Sequence, residues 1–230
     1  MSRLTRRTVL ALAVALVATP VLAHSTAELS ELLGGKERYF QAFDMQPPDF
    51  RLSDADGRIY SPGDFRGKVV VLNFVYASCP DMCPLQAKKL AAVQEMVNQT
   101  PMKGLVEFVT ITTDPANDMP DVMRAYGPAH GLDPANWTFL TTAPDQPDNA
   151  TRKLVEAFDQ GFSSAEAGTR IHGAVTHIID MTGRWRANFY GLGFDPTNMV
   201  LFVNALTNDF AKRHTSSGPG FWGRLTDFFN

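Results

Sequence analysis

Cys79 and Cys83 are the only thiols in the chain, and they stand together in Cys79-Pro80-Asp81-Met82-Cys83-Pro84. The spacing is C-x-x-x-C, one residue wider than a thioredoxin-type redox pair. An apolar run, Val69 to Tyr76, precedes them and is interrupted only by Asn73, which reads as a fully buried strand. Good helix formers follow from Leu85 to Val97. Thiols at the carboxyl end of a buried strand, opening a helix, occupy the place where open α/β sheets put their chemistry. At i and i+4 of a helical turn both side chains would lie on one face, able to close a disulfide or to grip a soft metal ion together. A purely structural bridge is a weak explanation, because so short a ring removes little entropy from the unfolded chain.

The rest of the chain orders into one α/β unit around that pair. Phe50 to Ser53 and Arg58 to Tyr60 flank Asp54-Ala55-Asp56-Gly57, a hairpin turn ending in glycine. In the cysteine helix Leu90, Val93 and Val97 form the inner face, with Lys88 and Lys89 outward. Val106 to Thr113 is a β-branched strand, so strand, helix and strand imply a right-handed parallel crossover. Asp118 to Tyr126 reads as helical, Trp137 to Leu140 as a short strand, and Thr151 to Phe158 as helical again. Ala174 to Asp180 and Arg184 to Tyr190 form a second hairpin around Met181-Thr182-Gly183. A last helix starts at Asp195-Pro196, with Met199, Val203, Leu206 and Phe210 as its buried stripe. The pattern is thioredoxin-like, with an added N-terminal β-hairpin and an insertion before the histidine-bearing hairpin.

Residues 1–23 read as a signal peptide: Arg3, Arg6 and Arg7, an apolar core from Val9 to about Ala18, and a small residue, Ala23, at the cleavage point. The apolar run is shorter than a comfortable membrane span, which favours cleavage over a retained anchor. Thr5-Arg6-Arg7-Thr8-Val9-Leu10 is similar to a twin-arginine export signal. No cysteine near that point offers a lipid attachment site. Loss of three arginines and no acids lowers the net charge from −3 to −6, a poor balance for nucleic-acid binding. Four regions follow: the signal, an N-terminal extension at 24–46, the thioredoxin-like domain at 47–213, and a linker with a short tail at 214–230. In that tail Phe221, Trp222, Leu225, Phe228 and Phe229 share one helical face, which either folds back or docks on a membrane surface.

With these residues in view, the chain resembles the Sco/SenC family of copper-handling thioredoxin-fold proteins. The resemblance is carried by Phe50 to Gly57, Arg66-Gly67-Lys68, Phe74-Val75-Tyr76, the run Cys79 to Pro84, Thr112-Thr113-Asp114-Pro115 with Asp118, and His172 to Gly183. It implies a bound copper with two cysteine ligands, Cys79 and Cys83, and one distant histidine. Counting back from Gly183, His172 falls where the family's ligand sits, and His177 falls where an aromatic residue is usual. His177 is the alternative ligand, because a bulge at Gly173 could bring it to the same face. Ile171 and Asn117 depart from the family's acidic residue and arginine around the site.

The chemistry of the residues agrees. Thiolates select Cu(I), and imidazole tolerates Cu(I) or Cu(II). A Cys-Cys-His set leaves an open side suited to release, whereas structural zinc needs a fourth ligand. Asp114 either orients the site or serves as a turn residue; Met82 either lends sulfur to copper or, the preferred reading, packs against the core. His24, as a new N-terminus, has a minor claim as a Cu(II) chelator, and His130 and His214 carry no signal. The expected protein is an exported copper chaperone, periplasmic or associated with the inner membrane. By resemblance it supplies a respiratory oxidase, at the binuclear copper site of cytochrome c oxidase, with an upstream copper donor or thiol reductant as a further partner. The alternative is a thiol–disulfide oxidoreductase in which Cys79 and Cys83 are the catalytic redox pair; a peroxide-reducing enzyme of the same fold ranks third.

Overall fold

The computed structural model describes residues 25–160 and 174–215. The signal segment, His24, His172, Gly173 and the tail from residue 216 lie outside the described residues. Among the described residues eight strands form one sheet in the order β1-β8-β7-β4-β5-β6-β2-β3. They are β1 (Phe40–Met45), β2 (Leu52–Ser53), β3 (Ile59–Tyr60), β4 (Val69–Val75), β5 (Val106–Thr112), β6 (Trp137–Thr142), β7 (Val175–Ile179) and β8 (Trp185–Tyr190). β4, β5 and β6 run parallel; β7, β8 and β1 add antiparallel to one side, and β2 and β3 to the other.

Among the described residues five α-helices cover the sheet: α1 (Thr26–Lys36), α2 (Met82–Asn98), α3 (Pro120–His130), α4 (Ala150–Gln160) and α5 (Pro196–Thr215). β4 is buried on both faces, which its unbroken apolar run demands. Val69, Val71 and Val75 point toward α2, α3 and α5, while Val70 and Leu72 point toward Leu154 and Phe158 of α4. Leu90, Val93 and Val97 of α2 are buried as their spacing predicts. Lys88 is exposed, but Lys89 is half-buried: its ammonium donates to Leu192 O at 2.6 Å and lies 4.7 Å from the Phe194 ring centre.

Two expectations need correction. The stretch before residue 47 is built into the domain: α1 packs on α5, and β1 pairs with β8 through Phe40↔Phe189. Its capping box, Ser25 with Glu28, starts α1 in the standard way. The second correction concerns the thiols. α2 begins at Met82, so Cys79 lies in the loop ahead of the helix, and an i, i+4 helical pairing does not bring the two together.

Candidate metal centre

β4 delivers the chain to the site at Val75, and a turn closed by Cys79 N–H to Tyr76 O at 3.0 Å lifts Cys79 onto the start of α2. The N-cap residue Asp81 makes no side-chain capping bond. Instead the Cys83 N–H donates to Cys79 Sγ at 3.4 Å, so sulfur satisfies one of the amides that a helix start leaves without a partner. This contact, not helical periodicity, holds the thiols together. Both are free and nearly buried, at 8% and 9% exposure.

Their proton affinities are driven apart. Burial pushes the Cys79 thiol up, but hydrogen bonds from the Cys83 thiol, the Cys83 and Asp81 N–H groups and the Tyr76 hydroxyl outweigh it and leave Cys79 at about 7. Burial and the hydrogen bond toward Cys79 push Cys83 up to about 12, with the Asp118 charge adding to the rise. The pair therefore presents one ready thiolate and one proton-holding partner. A cation arriving between them would displace that second proton.

Three side chains fix the loop. The buried Asp118 carboxylate accepts the Ala77 N–H through both oxygens, at 3.0 and 3.2 Å, and also accepts from the Thr112 hydroxyl. Tyr126 of α3 donates its hydroxyl to Cys83 O at 3.3 Å. Beneath α2, Gln86 donates to Val175 O at 3.1 Å and to Thr176 Oγ1 at 3.4 Å, tying the cysteine helix to the first residues of β7. Asp114, the candidate orienting acid, is a turn residue: its carbonyl accepts the Asn117 and Asp118 N–H groups, and its carboxylate accepts from Asn117 Nδ2 at 2.8 Å. The anchoring role belongs to Asp118, four residues on. Sequence reasoning placed Asp118 and Tyr76 in motifs without a role for either, and gave Tyr126 only as the end of a predicted helix. An acid ahead of Met-Pro says nothing of whose amide it will accept.

His177 is placed away from the thiols. Opposite Leu72 on β7, it faces the α4 side of the sheet, with its ring 5.8 Å from Phe74, 4.6 Å from Phe158 and 5.3 Å from Trp185. Its Nδ1 lies 2.9 Å from Asn188 Oδ1, which also accepts from Trp185 Nε1; an amide oxygen only accepts, so Nδ1 carries the proton. Burial drives this imidazole down to about 4. Among the described residues no group of three or more His, Cys, Asp or Glu stands ready to hold a metal ion. Met82, expected to pack inward, is exposed. His130 is half-buried against Tyr126, with ring centres 4.5 Å apart.

The SCO1/SenC family model matches residues 40–206. The chain belongs to the SCO1/SenC family. An SCO2-like protein of Rickettsia typhi is 29% identical over 143 residues, covering 61% of this chain and 68% of that protein. Among solved structures, BsSco superposes with a TM-score of 0.60 at 17% identity, over 73% of this chain and 96% of the other. It is described as a member of the Sco family of cytochrome c oxidase assembly proteins and as having a disulfide switch. Bradyrhizobium japonicum ScoI, solved with copper bound, superposes at 0.54 and 20% identity over 70% and 99%. These likenesses establish the thioredoxin-like SCO1/SenC fold. No helix among the described residues is long and apolar enough to cross a membrane.

Proposed function

We propose that this chain is an exported copper chaperone that carries Cu(I) on Cys79, Cys83 and His172 and delivers it to a respiratory oxidase, at the binuclear copper site of cytochrome c oxidase. The observation that carries the reading is the paired, nearly buried thiols, one held at about 7 and the other at about 12, in a chain of the SCO1/SenC family. Soft sulfur donors select Cu(I), and a site with few ligands releases it readily.

His172 is supported as third ligand by chain direction. β7 runs antiparallel to β4, with Asn73 opposite Thr176, so the chain enters β7 at the end of the sheet that carries Cys79. His177, on the opposite face and paired with Asn188, is not available without breaking a buried cage. The relatives solved with copper bound and named for oxidase assembly support cargo and client. The apolar, arginine-led segment at 1–23 supports export.

The test follows Cu(I) from the loaded protein to a purified oxidase copper domain, and follows oxidase activity in cells carrying His172→Ala. Transfer by the wild type, with failed assembly in the variant, is expected. Normal oxidase assembly in that strain would show that two thiols suffice and would replace copper delivery with thiol–disulfide exchange.

A further inference from the structure

The exposed large apolar side chains are unevenly spread. Five of them, Tyr76, Met82, Leu85, Met119 and Val122, fall on the three segments that surround the dithiol: the loop after β4 and the starts of α2 and α3. Two of the five are methionines. Met82 is 40% exposed and Met119 58% exposed, whereas Met45 and Met96 are half-buried and Met102, Met123, Met181 and Met199 are buried. Among the described residues, then, the two most exposed thioethers are those of Met82, next to Cys83, and Met119, next to the Asp118 that anchors the cysteine loop.

Their positions come from contacts already described. Met82 opens α2 and directly precedes Cys83. Met119 is the N-cap residue of α3 and follows Asp118, whose carboxylate grips the Ala77 amide two residues before Cys79. Neither is needed for the core, and Met119 makes no capping bond through its side chain. A thioether is a soft donor that binds Cu(I) without losing a proton, unlike a thiol, so it holds the ion weakly and reversibly. The thiols themselves are nearly buried, so an ion reaching them from solvent first meets the side chains around them.

We propose that Met82 and Met119 form an outer Cu(I) site at the mouth of the dithiol, a docking point through which the ion passes on its way to and from Cys79 and Cys83. The inference rests on the copper reading above and adds two ligands to it. The step is ligand exchange only: a sulfur–copper bond forms at a thioether as one to the delivering or receiving ligand breaks, with copper remaining Cu(I).

Two measurements on the full chain, labelled at the methionine methyl carbons, decide it. In Cys79→Ser, Cys83→Ser protein titrated with Cu(I) alone under anaerobic conditions, the Met82 and Met119 methyl resonances should shift together while those of Met45 and Met96 stay fixed. In the intact dithiol protein, Met82→Leu, Met119→Leu keeps apolar bulk but removes both sulfurs. It should slow Cu(I) exchange with a small chromophoric chelator at least fivefold, at unchanged equilibrium affinity. A small chelator makes no protein interface, so a merely apolar docking role would leave that rate alone. Equal rates in the two dithiol proteins, or methyl shifts shared with Met45 and Met96, overturn the outer site. A wild type that takes up no Cu(I) defeats the copper reading instead, and the methyl titration still decides this one.

Discussion

Asp118→Ala should loosen the cysteine loop at a cost calculable from its contacts. The carboxylate is the acceptor for a half-buried donor, the Ala77 N–H, and a buried one, the Thr112 hydroxyl. Hydrogen bonds to a charged group contribute roughly 1.5–3 kcal/mol each, so losing both costs about 3–6 kcal/mol. For a domain of this size that lowers the melting temperature by roughly 6–24 °C. Asp118→Asn keeps one carbonyl acceptor but turns its NH2 toward a donor, and should cost about 2 kcal/mol. A local effect accompanies the global one. With the Ala77 amide released, the turn that aims Cys79 Sγ at the Cys83 N–H relaxes, and the hydrogen bonds holding Cys79 near 7 weaken. The pH midpoint for alkylation of Cys79 by iodoacetamide should therefore rise. Urea unfolding followed by circular dichroism reads the first effect, and alkylation rate against pH the second. An Asp118→Ala protein that melts within about 2 °C of wild type, with an unchanged alkylation midpoint, would refute the assignment of Asp118 as the anchor of this loop.

Three further substitutions probe the scaffold. Gly127→Ala drives a methyl into the Trp137 ring; the displaced indole should lose its Nε1 bond to Thr110, costing roughly 1–3 kcal/mol, seen in tryptophan fluorescence and the urea midpoint. His177 titrates at about 4 when folded against 6.5 ordinarily, so protonation favours the unfolded chain. The stability tied to its neutral form is intact above pH 6.5 and is lost as pH falls to about 4, by roughly 3 kcal/mol. His177→Phe should remove that acid-dependent loss, so its urea midpoint should fall less than wild type's between pH 7 and pH 4.5. Tyr126→Phe deletes the bond to Cys83 O and should cost about 1 kcal/mol in chemical denaturation without unfolding the protein.

What the sequence disclosed followed from local patterning. The β-branched runs at Val69 and Val106 and the stripe Leu90, Val93, Val97 have strong periods, and the strands and helix appear where those periods put them. α1 and β1 were missed because their apolar residues, Leu29, Leu33 and Phe40, are sparse and find most of their partners on α5 and β8, far along the chain. Cysteine proximity was legible, but its cause was not. The wide motif suggested a helical turn, whereas Pro80 and Asp81 lie before α2 and a sulfur-accepted amide closes the gap. Met82 was misread because an apolar residue in a helix is usually inward; its exposure depends on which face of α2 meets the sheet, which the first turn alone does not reveal. The odd spacing of His172 and His177 predicts opposite faces along one strand; His177 lies on the face away from the thiols, and His172 lies outside the described residues.

The central claim, a Cu(I) held by Cys79, Cys83 and His172, is tested most directly by X-ray absorption at the copper edge on the loaded full-length protein and its histidine variants. The account predicts one copper bound by two sulfurs and one imidazole nitrogen, with the nitrogen lost in His172→Ala and retained in His177→Phe. Loss of the nitrogen in His177→Phe with His172→Ala unchanged, or a spectrum without sulfur ligands, would contradict it.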